Sequence, residues 1–117
     1  MTIRGMPSTH LTADSIEIRF STWEKIAGLV RDIRVPRTAV TGVEVVPDGL
    51  TATRGLRAPG LAWPGVVKIG TWRGRGQKSL VAVRRDQPAL RVQLTGQRYD
   101  TLLIGTDDAS TLAQALR

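Results

Sequence analysis

From residue 15 to residue 106, apolar and polar positions alternate in short runs, the period of half-buried strands. In SIEIRF (15–20), Ile16, Ile18 and Phe20 alternate with Glu17 and Arg19. STWEKIAG (21–28) then interrupts as a turn or a single helical turn closed by Gly28. VRDIRV (30–35) puts Ile33 and Val35 on one face, and Pro36, which has no N–H to give a ladder, marks a break or an edge. AVTGVEVV (39–46), VVKIGTW (66–72), KSLVAVRR (78–85), ALRVQLT (89–95) and RYDTLLIGT (98–106) extend the series to seven strands. Pro47-Asp48-Gly49, Asp86-Gln87-Pro88 and Gly96-Gln97 punctuate it, and RGRGQ (73–77) reads as a hairpin turn.

The period changes at the end. In DDASTLAQALR (107–117), Ala109, Leu112, Ala113 and Leu116 fall on one helical stripe, and Asp107 or Asp108 suits the N-cap. So short a helix is marginal alone and must dock on apolar surface, here the open end of a curled sheet. Residues 1–10 show no periodicity and read as a flexible tail, leaving 11–117 as a single domain. Residues 50–65 form a long connection rich in Gly and Pro. It is expected to fold Leu56, Leu61 and Trp63 back as a lid over the core, with Trp63 substantially buried. The alternative is a basic, aromatic lip that touches a partner.

Composition narrows the chemistry. The chain of 117 residues has no cysteine, one histidine (His10) and few aromatics, so its core is mainly aliphatic. Disulfide and thiolate chemistry are excluded. His10 has no acid nearby in sequence to orient it, a metal site would need carboxylates alone, and Asp107-Asp108 is explained by a helix start. No nucleophile elbow or phosphate-loop pattern occurs. The expectation is therefore no catalytic residue, no metal and no cofactor. The opening residues hold no apolar run of signal-peptide kind and nothing later is long enough to span a membrane, so a cytoplasmic protein is expected, with peripheral membrane attachment open to it.

The net charge of +7 is unevenly distributed. Residues 1–53 balance six basic against six acidic groups, whereas residues 54–98 carry ten basic groups against Asp86 alone. Such asymmetry favours an anionic partner, against the plainer reading of a solvated basic surface. The candidate anion or lipid contacts are Arg54, Arg57, Arg73, Arg75 and Lys78. The hairpin Arg73–Lys78 offers several donors on a tight turn, although its glycines are also explained by turn geometry alone. Trp72 is expected to pack on neighbouring strands.

Seven strands followed by one amphipathic helix, with segments such as RVPRTAVTGVEVV, RGLRAPGLAWPGVVKIGTWR and SLVAVRRDQPALRVQL, resemble the small pleckstrin-homology-like proteins of high-GC Gram-positive bacteria. The resemblance covers residues 11–117. It implies a mainly β fold of two near-orthogonal antiparallel sheets, about seven strands, capped by a C-terminal helix. It implies no activity. The family's lipid-binding members carry a lysine, a gap and then basic-x-arginine-x-arginine. Here the corresponding residues are Lys25 and then Arg31-Asp32-Ile33-Arg34, with the wrong spacing and an acid inside the clamp, so no binding role is transferred.

The function expected is a non-catalytic interaction module that recognises a protein partner or its own copies. Sheet edges beside Pro36 and along 78–85 suit strand addition. The alternative is attachment to anionic lipid or another polyanion through the basic residues, which would weaken with salt. Nucleic acid ranks below both, because no groove-reading helix or paired stacking aromatics occur.

Overall fold

A computed structural model describes the backbone of residues 2–3, 7–52, 56–63, 67–74 and 76–117, and the side chains of 7–50, 67–74 and 76–117. Ten strands and three helices follow one another along these residues. The first sheet is an antiparallel meander of β1 (Thr2–Ile3), β2 (Ser8–Leu11), β3 (Ser15–Arg19) and β4 (Ile33–Pro36). Helix α1 (Thr22–Gly28) lies between β3 and β4, and a 3-10 turn at Arg37–Ala39 leads into the second sheet. That sheet is built from β5 (Val40–Val46), β6 (Leu56–Trp63), β7 (Val67–Gly74), β8 (Gln77–Arg84), β9 (Ala89–Leu94) and β10 (Thr101–Gly105). Its spatial order is β5-β9-β10-β8-β7-β6. Helix α2 (Gly49–Ala52) follows β5, and α3 (Ala109–Leu116) closes the described chain.

The expectation of a mainly β fold with two sheets and a C-terminal helix matches this architecture. The strand arrangement differs in one respect: β10 runs parallel to β8, pairing Thr101–Ile104 with Ser79–Ala82. The cause is local. Lys78 N–H donates to Asp100 Oδ2 at 2.8 Å and Asp100 N–H donates to the Lys78 carbonyl at 2.8 Å, so the start of β10 is pinned beside the start of β8. Strand β9 is thereby displaced outward to pair with β5. Strand β8 lies inside the sheet, not at an edge as the sequence suggested, and β10 carries Leu102, Leu103 and Ile104 all buried, as befits a strand covered on both faces.

Two further expectations are corrected. Residues 8–10 are not a tail, because β2 pairs with β3 and buries Thr9 and Leu11. Their polar character hid a strand whose backbone bonds come from its neighbour. Residues 56–63 are not part of an irregular connection but an outer strand on β7. Pro59 is tolerated there because an edge strand need not donate on both sides, and a register shift between Arg57 and Gly60 absorbs an extra residue. The burial of Leu56, Leu61 and Trp63 falls outside the described side chains.

The main core fills the space between the sheets. Ile16, Ile18 and Val35 of the first sheet join Ile69, Leu80, Leu90, Val92, Leu102 and Ile104 of the second. Ala109, Leu112 and Ala113 of α3 join the same cluster, which gives that short helix the apolar surface it needs. Asp108 occupies the N-cap position of α3 without a side-chain cap bond, while the Thr106 hydroxyl accepts from Asp108 N–H at 3.1 Å. The Arg37 guanidinium donates to the carbonyls of Thr12 and Ala115 and ties the far end of α3 to the first sheet. On the opposite face of the second sheet, Trp72 packs with Val46, Val81, Val83, Ala89 and Leu103, partly covered by Leu50 of α2.

Candidate functional site

Helix α1 opens with Ser21-Thr22-Trp23-Glu24, the S-x-x-E arrangement. The Ser21 hydroxyl accepts from Glu24 N–H at 3.2 Å, and Glu24 Oε1 accepts from Ser21 N–H at 2.9 Å. This reciprocal box satisfies two backbone donors that a helix start leaves free. Near its other end Gly28 lies directly on β7, where a Cβ would come within 2.4 Å of Ile69 Cγ2. With Glu24 and Gly28 turned inward, the large apolar side chains left outward are Trp23, Ile26 and Leu29, which are 51%, 72% and 66% exposed. Leu29 ends the helix in the left-handed region at φ 53°. That conformation favours glycine or asparagine over a leucine.

Beyond Leu29 the chain enters β4 through Arg31 and Asp32. Asp32 Oδ1 accepts from Phe20 N–H at 2.8 Å, and its Oδ2 lies 3.5 Å from Lys25 Nζ. The carboxylate that breaks the basic run in sequence thus closes the α1 loop. Between β4 and the turn before β10 lies a cavity of about 360 Å³. Leu29, Arg31, Asp32 and Arg34 are among the residues that line one side, and Arg98 and Tyr99 line the other. None of the three arginines forms an ion pair with a described carboxylate. Arg34 donates to the Ser15 hydroxyl at 3.2 Å, and the Arg98 guanidinium lies 5.6 Å from the Tyr99 ring centre. Lys78 Nζ lies 5.1 Å from the same ring centre. Tyr99 therefore forms a buried aromatic floor flanked by two cations.

Other cations are committed elsewhere. Arg19 Nε donates to Glu17 Oε1 at 2.7 Å, and that bond holds the Glu17 carboxyl below its ordinary range while raising the Arg19 guanidinium. Arg91 pairs with Glu44 at 3.1 Å within a second, smaller cleft of about 140 Å³ on the outer face of the second sheet. Lys68 Nζ donates to the Leu50 carbonyl and fixes α2 against β7. The second cleft, with its cation already paired, offers an anion less than the first.

Of the five basic residues singled out in the sequence, Arg73 and Lys78 face each other across the β7–β8 hairpin. Arg73 is exposed and Lys78 half-buried against Tyr99. Arg57 lies opposite Trp72 in the ladder, with its side chain outside the described set, and Arg54 and Arg75 lie outside the described residues. Trp72 is buried, as expected. The residues that sequence reasoning missed are Trp23, Ile26, Leu29 and Arg98. Arg31 and Arg34 were weighed only as a linear motif, and no spacing in sequence foretells their meeting with Arg98. The Ser21–Glu24 box was a readable signal for α1.

Among the described residues no three His, Asp or Glu side chains group as a metal ion requires. No described helix is long and apolar enough to cross a membrane. No family model matches the chain, and neither the curated proteins nor the solved structures contain a significant match to it.

Proposed function

We propose that this chain is a non-catalytic binding module that recognises an anionic partner at the cavity between β4 and the 97–99 turn. One observation carries the reading: Arg98, far away in sequence, joins Arg31 and Arg34 at one cavity of about 360 Å³, while Asp32 beside them is bonded to Phe20 N–H and Lys25. Guanidinium groups are planar, permanently charged and carry several donors, which suits carboxylate or phosphate recognition. Tyr99 adds a flat apolar floor. The pleckstrin-homology resemblance supplies the two-sheet, helix-capped architecture to this proposal. The parallel pairing of β8 with β10 departs from the all-antiparallel order it implies, so no binding residue is taken from it.

A second reading, recognition of a protein segment by strand addition, rests on a different observation. Strand β4 is an edge of the first sheet with the cavity alongside, so an acidic extended segment has both ladder partners and cations within reach. Self-association through β5 is less favoured, because its register shift between Val40 and Gly42 disrupts a regular edge.

The test is an NMR titration of the whole chain with a short poly-glutamate peptide at low and near-physiological salt. Amide shifts concentrated at residues 29–35 and 97–99, weakened by salt and lost in Arg31→Gln/Arg98→Gln, are expected. Shifts confined to the Arg73–Lys78 hairpin, or none at all, overturn the assignment of the site.

A further inference from the structure

We infer that the anionic partner is a bilayer surface, and that α1 docks on it by inserting Trp23, Ile26 and Leu29; this rests on the cavity reading above. The three side chains are the large apolar groups most exposed among the described residues. Trp23 and Ile26 stand three residues apart on one helix face, and Leu29 continues from the helix end to the rim of the arginine-lined cavity. Leu29 is unfavourable twice over. It holds a left-handed conformation that suits glycine, and it leaves most of a leucine in water. Neither feature helps the fold, since Gly28 and Glu24 already make the inward contacts of α1. An exposed apolar tip beside Arg31 and Arg98, which form no ion pair with a described carboxylate, is complementary to the boundary between anionic headgroups and acyl chains.

The shape selects a bilayer over a protein. A protein interface needs about 800 Å² of complementary surface on each side, far more than three side chains on a protruding turn provide. A bilayer adapts to a convex tip, and a tryptophan beside polar groups is at home at its interface. Arg31 and Arg98 then lie beside the inserted tip, positioned to meet lipid phosphates, while Asp32 is held by Lys25 and Glu17 stands across the ladder from Arg34.

The experiment is co-sedimentation of the full chain with phosphatidylcholine vesicles, with and without a quarter phosphatidylglycerol, together with tryptophan quenching by brominated lipid. The anionic vesicles are expected to bind. Quenching should fall in Trp23→Phe, which keeps the apolar tip but removes the indole. Ile26→Ser/Leu29→Gly is expected to reduce partitioning by at least about tenfold, the loss from withdrawing one inserted aliphatic side chain. Both substituted side chains are mostly exposed, so thermal unfolding should stay near wild type, and Leu29→Gly also relieves the left-handed leucine. Arg31→Gln/Arg98→Gln is expected to reduce binding as well and to flatten its salt dependence.

If the arginine variant loses binding while the tip variant keeps it and Trp23 is not quenched, insertion is wrong and the cavity reading stands. Binding of poly-glutamate but of neither vesicle, again lost in the arginine variant, likewise replaces the bilayer with an acidic protein. If no anionic probe responds to the arginine variant, both readings fall together.

Discussion

Gly28→Ala is the substitution on which the placement of α1 can be judged. Gly28 is not among the glycines at positive φ, so its backbone alone would accept alanine. In a helix that exchange ordinarily stabilises by up to about 1 kcal/mol. Here the added Cβ would lie 2.4 Å from Ile69 Cγ2 and 3.0 Å from the Ile69 carbonyl oxygen. Ile69 is fully buried, branched at Cβ, and held in a strand paired on both sides, so neither group can give way cheaply. Carbon atoms prefer a separation of about 3.5–4.0 Å, and the helix must therefore retreat by roughly 1 Å. Overpacking of this kind costs about 1–3 kcal/mol. A clash at 2.4 Å belongs to the upper part of that range, about 2–3 kcal/mol, and subtracting the helical gain leaves a net loss of about 1–2 kcal/mol. For a chain of this length that lowers Tm by about 4–8 °C. Calorimetry or circular dichroism at neutral pH reads the shift. A Tm equal to or above wild type would show that α1 does not rest on β7 at this distance, and would remove the support beneath Trp23, Ile26 and Leu29.

Ser21→Ala removes one half of the capping box and is expected to cost about 1 kcal/mol in urea unfolding; no change would mean that the box contributes nothing in solution. Trp72→Ala should cost about 3 kcal/mol or more, because the ring is buried on the outer face of the second sheet, whereas a loss below about 1 kcal/mol would mean that this face is open to water. Titration of Glu17 by NMR should give a midpoint below the ordinary glutamate range, returning toward it in Arg19→Gln. Since the folded pKa is depressed, the associated stabilisation is full above the unfolded pKa and is lost as pH falls through the folded one; an unshifted midpoint contradicts the Arg19 bond.

The alternation in SIEIRF, VVKIGTW, KSLVAVRR, ALRVQLT and TLLIG made those strands readable, because each buries one or both faces in a way that its own residues record. The stripe of Ala109, Leu112 and Ala113 did the same for α3. By itself the sequence determined a mainly β chain with a C-terminal helix, its hairpin at residues 73–78 and a strong excess of cations in its second half. Strands β2 and β6 were not readable, since Ser8-Thr9-His10 and Ala58-Pro59-Gly60 lack an apolar rhythm and are held by ladders supplied from β3 and β7.

Tertiary structure decided the rest. Placing β10 between β8 and β9 depends on Asp100 meeting Lys78 across 22 residues, which no local pattern encodes. The candidate site has the same origin. Charge counted along the chain drew attention to residues 54–78, but an anion responds to cations that are near one another and unpaired. Only the fold brings Arg98 beside Arg31 and Arg34, assigns Asp32 to Phe20 and Lys25, and leaves the outer face of α1 uncovered. Local sequence sets which residues prefer burial and in what rhythm; which charges become neighbours, and which apolar groups are left in water, follows from contacts between segments far apart in the chain.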